Sequence, residues 1–187
     1  RLANAEKVSA AAEEIGFPVV LKAVAAEMSH KTEFGGVALN LKNVPEVVEA
    51  ATAMSGITES FLVEEMISDG VAEIILGVSV DPQFGPTLTL GAGGVYTELL
   101  KDSVALLFPV SGKQVRQSIE KLRINALLQG WRGKAEGDIE ALVEAVLKLA
   151  NFVERHAGHL AGCDINPLIV RPCGKGVVAV DALINLK

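Results

Sequence analysis

Three oxygen-bearing side chains near the C-terminus, Asp164, Asn166 and Asp181, form the strongest chemical constellation in the chain. Asp164 and Asn166 stand two residues apart in the apolar run CDINPLIV, so an extended strand points both to one side. A second apolar run, GVVAVDAL, follows a turn-forming stretch. A four-residue turn at 172–175 pairs Arg171 with Gly176 and sets Asn166 directly opposite Asp181. A two-residue turn at Gly174 and Lys175 shifts the pairing by two and preserves the facing. In either register the three polar groups share one face of a ribbon. Oxygen donors of this kind suit a hard cation such as Mg²⁺, which takes one or two protein ligands beside phosphate oxygens and water. A solvated hairpin face also accommodates Asp and Asn. Strands this apolar, with Ile165, Leu168, Ile169, Val170 and the run 177–180, favour the cation.

Other residues could serve a phosphorylated ligand. Lys22 interrupts the apolar run VVLKAV and needs a partner or a bound anion if buried; an edge strand would instead let it reach solvent. His30, in MSHKTEFGG, sits in a loop ending in two glycines, where a histidine can carry a phosphoryl group covalently; a loop histidine can equally be incidental. The cluster 91–94, GAGG, can turn backbone N–H groups toward an anion, with Gly93 and Gly94 its last members. Thr97, Glu98, Lys101 and Asp102 follow closely enough to line the same place. Arg132 in GWRGK offers a guanidinium fork suited to phosphate. His156, His159 and Cys163 lack a fourth ligand nearby and read as the end of a helix, not as a zinc site.

The elements that must position these groups are legible as periodicities. Asn4 is read as the cap of a helix with Val8, Ala11, Ala12 and Ile15 on one face and Gly16 as its stop. Strands are expected at 18–23, 37–41 and 61–67, a loop at 27–36, and a helix opened by Asn43 and Pro45 running to Met54. SDG near 67–70 marks the boundary to a second lobe. There, strands at 73–80 and 87–90 precede a helix capped by Ser111 and a long one capped by Asp138, whose apolar face is Ile139, Leu142, Val143, Val146, Leu149 and Val153. The hairpin of 163–170 and 176–183 closes the chain.

Composition bounds the rest. The 187 residues suffice for a substantial core, and half are hydrophobic while only 4% are aromatic, so Ala, Val, Leu and Ile must build it. No apolar run reaches the roughly 20 residues of a membrane span. A formal charge of −6 with no basic stripe argues against nucleic acid as a partner. Two cysteines, Cys163 and Cys173, fit a reduced, cytoplasmic protein better than a disulfide scaffold. The GAGG spacing does not match a dinucleotide fingerprint, and no P-loop sequence occurs.

The strings GFPVVLKAVAAEMSHKTEFGGVALNL, LVEEMI, DPQFGPTLTLGAGGVYTELLKD, GWRGK and DINPLIV with the later VAVDAL cover nearly the whole chain. In that order they resemble the ATP-grasp segment of NDP-forming (ADP-forming) acyl-CoA synthetases, the family of the acetyl-CoA synthetase β subunit, related to the succinyl-CoA synthetase β subunit. The resemblance implies an α+β ATP-grasp fold holding nucleotide between two lobes, 1–67 (incomplete at its start) and 68–187, as part of a larger polypeptide. It implies ATP or ADP with Mg²⁺, phosphoryl transfer to or from an acyl phosphate through phosphohistidine, and a CoA-binding or ligase module in the same polypeptide or a partner subunit of an oligomer. By position, it places Lys22 on phosphates, Glu64, Glu65 and Met66 against the adenine and Glu73 near the ribose; Arg132, Gly93 and Gly94 remain nucleotide candidates on their own chemistry. It gives Asn166 and Asp181 to the metal, with Asp164 a conditional ligand, and His30 to phosphoryl transfer. The chain departs from the family pattern at Gly162, where an acidic residue is usual, and at Leu106, where an arginine is frequent. These departures favour the alternative of a regulatory domain of a protein acyltransferase that senses nucleotide without turnover.

Overall fold

The computed structural model describes residues 1–24, 35–94, 97 and 101–187. They divide into two compact units, Arg1–Ser68 and Asp69–Lys187, each built on its own hydrophobic cluster.

In the first unit, strands β1 (Leu2–Asn4), β2 (Val19–Ala23), β3 (Val37–Leu41) and β4 (Ser60–Glu65) form an antiparallel sheet in the order β1-β4-β2-β3. Helices α1 (Val8–Ile15) and α2 (Val44–Ala53) bury Val8, Ala11, Ala12, Val47 and Ala51 in a cluster with Val19, Leu21, Ala23, Phe61 and Val63. Alternation along β2 and β4 sends those five to the core and leaves Lys22 and Glu64 on the opposite face. Asn43 caps α2 as its sequence indicates, its side chain accepting the Glu46 N–H at 3.0 Å while Glu46 reaches back to the Lys42 N–H at 2.7 Å. Asn4, in contrast, is not the cap of α1. It belongs to β1, paired with Ser60, and its carbonyl accepts the Lys7 N–H in the turn that leads into the helix. Three residues are too few for a strand period to show in sequence, so β1 was hidden behind a capping residue type.

The second unit is an antiparallel sheet of β5 (Ala72–Asp81), β6 (Gly85–Ala92), β7 (Ser103–Leu107), β8 (Leu160–Val170), β9 (Val177–Ala179) and β10 (Ala182–Leu186). Its order is β10-β8-β5-β6-β7, with β9 also on β8. Helices α3 (Gly112–Lys121), α4 (Asn125–Leu128) and α5 (Ile139–His156) contribute to its core. Val115, Ile119, Leu142, Val143, Val146 and Val153 there meet Ile74, Leu76, Val78, Leu88 and Leu90. Ser111 and Gln114 close a capping box on α3. Strand β7 was not expected from the sequence; Leu106, read there as a replaced arginine, is buried in this core. Among the described residues no helix is long and apolar enough to cross a membrane.

Candidate functional site

Strand β8 carries the acidic hairpin, and its register decides which way each side chain faces. On one side it pairs with β5: Leu76 with Ile165 and Gly77 with Asp164, but Ile74 with Leu168. Asn166 and Pro167 together therefore stand opposite Ile75, a β-bulge. The extra residue lets Ile165 and Leu168 both join the core while Asp164 faces away from it. On the other side Val170 pairs with Val177 and Leu168 with Ala179, and β10 resumes with Ala182 opposite Ile165 and Leu183 opposite Asp164. Between them Asn166 donates its N–H to the Asp181 carbonyl at 3.2 Å, so Asn166 and Asp181 are cross-strand partners. This is the register of the four-residue turn, and the Arg171 N–H indeed meets the Gly176 carbonyl at 3.1 Å.

The glycine cluster ends beside this pair. Ala92 lies opposite Ile74, and Gly93 donates its N–H to the Glu73 carbonyl at 2.8 Å. Gly94 then donates its N–H to Asn166 Oδ1 at 2.8 Å, and its own carbonyl accepts the Thr97 hydroxyl at 2.6 Å. Only glycine fits here. A methyl on Gly93 would stand 2.5 Å from the Ile74 carbonyl carbon, and one on Gly94, at φ 77°, would overlap the Glu73 carboxylate. The expectation that Gly93 and Gly94 aim free N–H groups at an anion needs correcting, because both N–H groups already have protein acceptors. What the glycines do is bring Glu73 and Asn166 to one corner of the sheet.

Asp164 adjoins that corner. It is half-buried, and a methyl on the facing Gly77 would lie 3.5 Å from its Oδ1. Burial, and secondarily the charge of Asp181, push its carboxyl above the ordinary carboxylate range. Asp164, disfavoured as a charge by its burial and by Asp181, lies beside the Asn166 amide oxygen, and together these form an oxygen donor set that a hard cation would relieve. Among the described residues no three His, Cys, Asp or Glu side chains converge, so a cation here would be held by two carboxylates and the Asn166 amide.

In the first unit Lys22, on the inner strand β2, has a side chain only 11% exposed, with Nζ 2.5 Å from Glu64 Oε2. Its partner within the unit is thus a carboxylate, and the edge-strand alternative does not hold. Glu65 pairs with Val19, and the Met66 N–H donates to the Pro18 carbonyl at 3.1 Å. Arg132, at φ 53° between two positive-φ glycines, places its guanidinium 5.6 Å from the Trp131 ring centroid. Asp102 does not line the site: its carboxylate accepts the Arg123 and Ile124 N–H groups at 2.9 and 2.8 Å ahead of α4. His30 and Glu98 fall outside the described residues. Cys163 is buried and Cys173 exposed, both as free thiols.

Sequence reasoning missed two supports of the hairpin. Arg171, at the end of β8, grips Asp69 with two bonds of 2.8 Å and holds its carboxyl below the usual range. Asp138 was read only as a helix cap, yet it also accepts N–H groups from the hairpin turn. The positive-φ glycines 174 and 176 were the available signal; their acceptor was not.

Comparison with known proteins identifies the family. The ATP-grasp domain family matches residues 1–186. The chain is 36% identical to the β subunit of an ADP-forming acetate–CoA ligase II of Pyrococcus furiosus, over 94% of this chain and 78% of that one. It is 38% identical to a trans-feruloyl-CoA synthase of an unknown prokaryotic organism, where it spans 27% of the length. Among solved structures, an acetyl-coenzyme A synthetase of Ca. Korarchaeum cryptofilum bound to coenzyme A and Ca-AMPCP superposes with a TM-score of 0.87 at 35% identity, over 100% of this chain and 85% of that one. The same synthetase with Mg-AMPPCP, its phosphohistidine segment pointing towards the nucleotide site, gives 0.83 at 36% identity, over 100% of this chain and 84% of that one. Sheet, hairpin and sequence together make this chain a member of the ATP-grasp domain family, in the group that contains the ADP-forming acetate–CoA ligase β subunits.

Proposed function

We propose that the chain is the nucleotide-binding part of an NDP-forming acyl-CoA synthetase. The observation that carries the reading is the corner where Asn166, paired with Asp181 and bonded to Gly94, meets Asp164 and Glu73. In this reading Asn166 and Asp181, with Asp164 beside them, hold Mg²⁺, and Glu73 approaches the ribose along the glycine edge of Gly93 and Gly94. Lys22 and Arg132 meet phosphates, and Glu64, Glu65 and Met66 lie along the base. The bound metal would supply charge neutralisation at phosphate oxygens. A first histidine carrier takes the phosphoryl group from the acyl phosphate and releases the acyl carboxylate, and an imidazole nitrogen of His30, the second carrier, then takes it from that phosphohistidine and frees the first imidazole. The phosphoryl group next passes to a β-phosphate oxygen of ADP, giving ATP. In the opposite direction the acyl phosphate is made, and a CoA thiolate displaces inorganic phosphate from it in a module of the same polypeptide or a partner subunit. Relatives of which this chain spans only 27% support such a module. We place the protein in the cytoplasm, where ATP and CoA are available.

The test is to incubate the full-length protein with γ-labelled ATP and Mg²⁺ and to look for acid-labile label on protein. The reading expects label in the wild type and none in His30→Ala. Nucleotide binding without any labelled protein contradicts the carrier role and favours a regulatory domain that senses nucleotide, the reading to which Gly162 and Leu106 lend support.

A further inference from the structure

Strands β9 and β10, which flank Asp181, pair with β8 alone among the described residues. No second ladder corrects their register, so the turn that joins β8 to β9 must set it. With the observed turn Asp181 stands opposite Asn166. With the two-residue alternative the pairing slips by two and Leu183 takes that place, which removes a carboxylate from the corner. The turn is held in its four-residue form by few local bonds: Lys175 N–H to the Pro172 carbonyl at 2.8 Å and Arg171 N–H to the Gly176 carbonyl at 3.1 Å.

One anchor comes from outside the hairpin, the Cys173 N–H to the Glu136 carbonyl at 2.9 Å, and Asp138 supplies the others. Its Oδ2 accepts the N–H groups of both Gly174 and Gly176 at 2.9 Å, while Oδ1 accepts the Ala141 N–H at 3.1 Å at the start of α5. Its own N–H reaches the Arg171 carbonyl at 2.9 Å. Gly174 and Gly176 sit at φ 79° and 80°, the left-handed region that lets both amides turn inward to a single oxygen. The residue is 8% exposed. The Gly176 N–H first, then that of Ala141, hold its carboxyl below the usual range, so it is the charged form that grips the turn.

We infer that Asp138 is a positioning residue: by clamping Gly174 and Gly176 to the start of α5 it locks the hairpin register that keeps Asp181 opposite Asn166. The register lock stands on these contacts alone; its consequence for ligand binding rests on the proposed Mg-nucleotide reading.

Two variants of the full-length protein test it. Asp138→Asn keeps one oxygen for the helix cap but turns an NH₂ group toward the glycine donors. Gly176→Ala strains the turn and leaves the cap untouched. Val146→Ala, in the buried face of α5, serves as a control with a general loss of stability. Hydrogen exchange is followed in peptides covering 164–168 and 177–184, beside Mg²⁺-dependent nucleotide binding. Both test variants are expected to lose protection in 177–184 by about tenfold more than in the β5–β6 ladder, and to lose Mg-nucleotide affinity beyond the control. Unchanged protection in both overturns the register lock. Lost protection with unchanged affinity, in a wild type that binds, overturns the positioning role. A wild type that binds no Mg-nucleotide overturns the functional reading instead, and the exchange measurement still decides the lock.

Discussion

The side-chain oxygen of Asn166 accepts the backbone N–H of Gly94 across 72 residues of sequence at 2.8 Å, and this bond ties the glycine edge to the acidic hairpin. Gly94 has no alternative residue. In Gly94→Ala a methyl would collide with the Glu73 carboxylate at a φ of 77°, forcing Glu73 or the loop aside. We expect a loss of about 1–3 kcal/mol in stability, measured by denaturant unfolding, and weaker nucleotide binding in the full-length protein. Unchanged unfolding would show that the corner is looser than its contacts imply.

Asp164 costs the ligand-free protein stability. Its carboxyl lies above the ordinary range because of burial and the charge of Asp181, so the folded state holds its proton more readily than the unfolded chain does. The penalty is fully present above the raised folded pKa and disappears as pH falls below the ordinary carboxylate value. Asp164→Asn should therefore raise the melting temperature of the metal-free protein at neutral pH by roughly 1–3 °C, the scale of a cross-strand like-charge pair. The gain should shrink on acidification through the raised pKa. A lower melting temperature at neutral pH would contradict the assignment.

Asp69 behaves in the opposite sense. Bonded by Arg171, its carboxyl lies below the ordinary range, so the bond stabilises the fold above the unfolded carboxylate pKa, about 3.9, and fades as pH falls through the folded value. The wild type should be more stable than Asp69→Asn at pH 7, with the two curves meeting near the acid limit. Both partners are partly exposed, so the difference should be small and reduced by salt. Melting scans from acid to neutral pH read it directly.

The parts of the fold visible in the sequence are those with a local period or a local cap. The long helix α5 announces itself through Asp138 and an apolar face, and the hairpin register follows from counting outward from one turn. Strands β1 and β7 do not announce themselves: LAN is too short to show alternation, and SVALL owes its strand conformation to pairing with β6. The bulge at Asn166 and Pro167 is likewise set by the partner strand. The bonds of Asp102, Asp138 and Arg171 join positions 21 to 102 residues apart, a distance over which no sequence period speaks.

Lys22 and Glu64 form an ion pair on the face of the first unit's sheet opposite its helices, where Glu64 Oε2 is buried and has no aligned hydrogen-bond donor among the described residues. Removing the cation should strand that oxygen. Lys22→Met is expected to destabilise by about 1–3 kcal/mol, and Lys22→Met with Glu64→Gln should recover part of the loss. A double-mutant cycle by denaturant unfolding measures the coupling; additive effects would show that the pair contributes nothing.

The central claim is that Asn166 and Asp181 present their oxygens to a metal-bound nucleotide. The most direct measurement is calorimetric titration of the full-length protein with ADP and ATP, with Mg²⁺ and again with EDTA, for the wild type, Asn166→Ala and Asp181→Asn. The account predicts Mg²⁺-dependent binding in the wild type, weakened about tenfold or more by either substitution only when Mg²⁺ is present. Equal affinities in all three proteins with Mg²⁺ would contradict it.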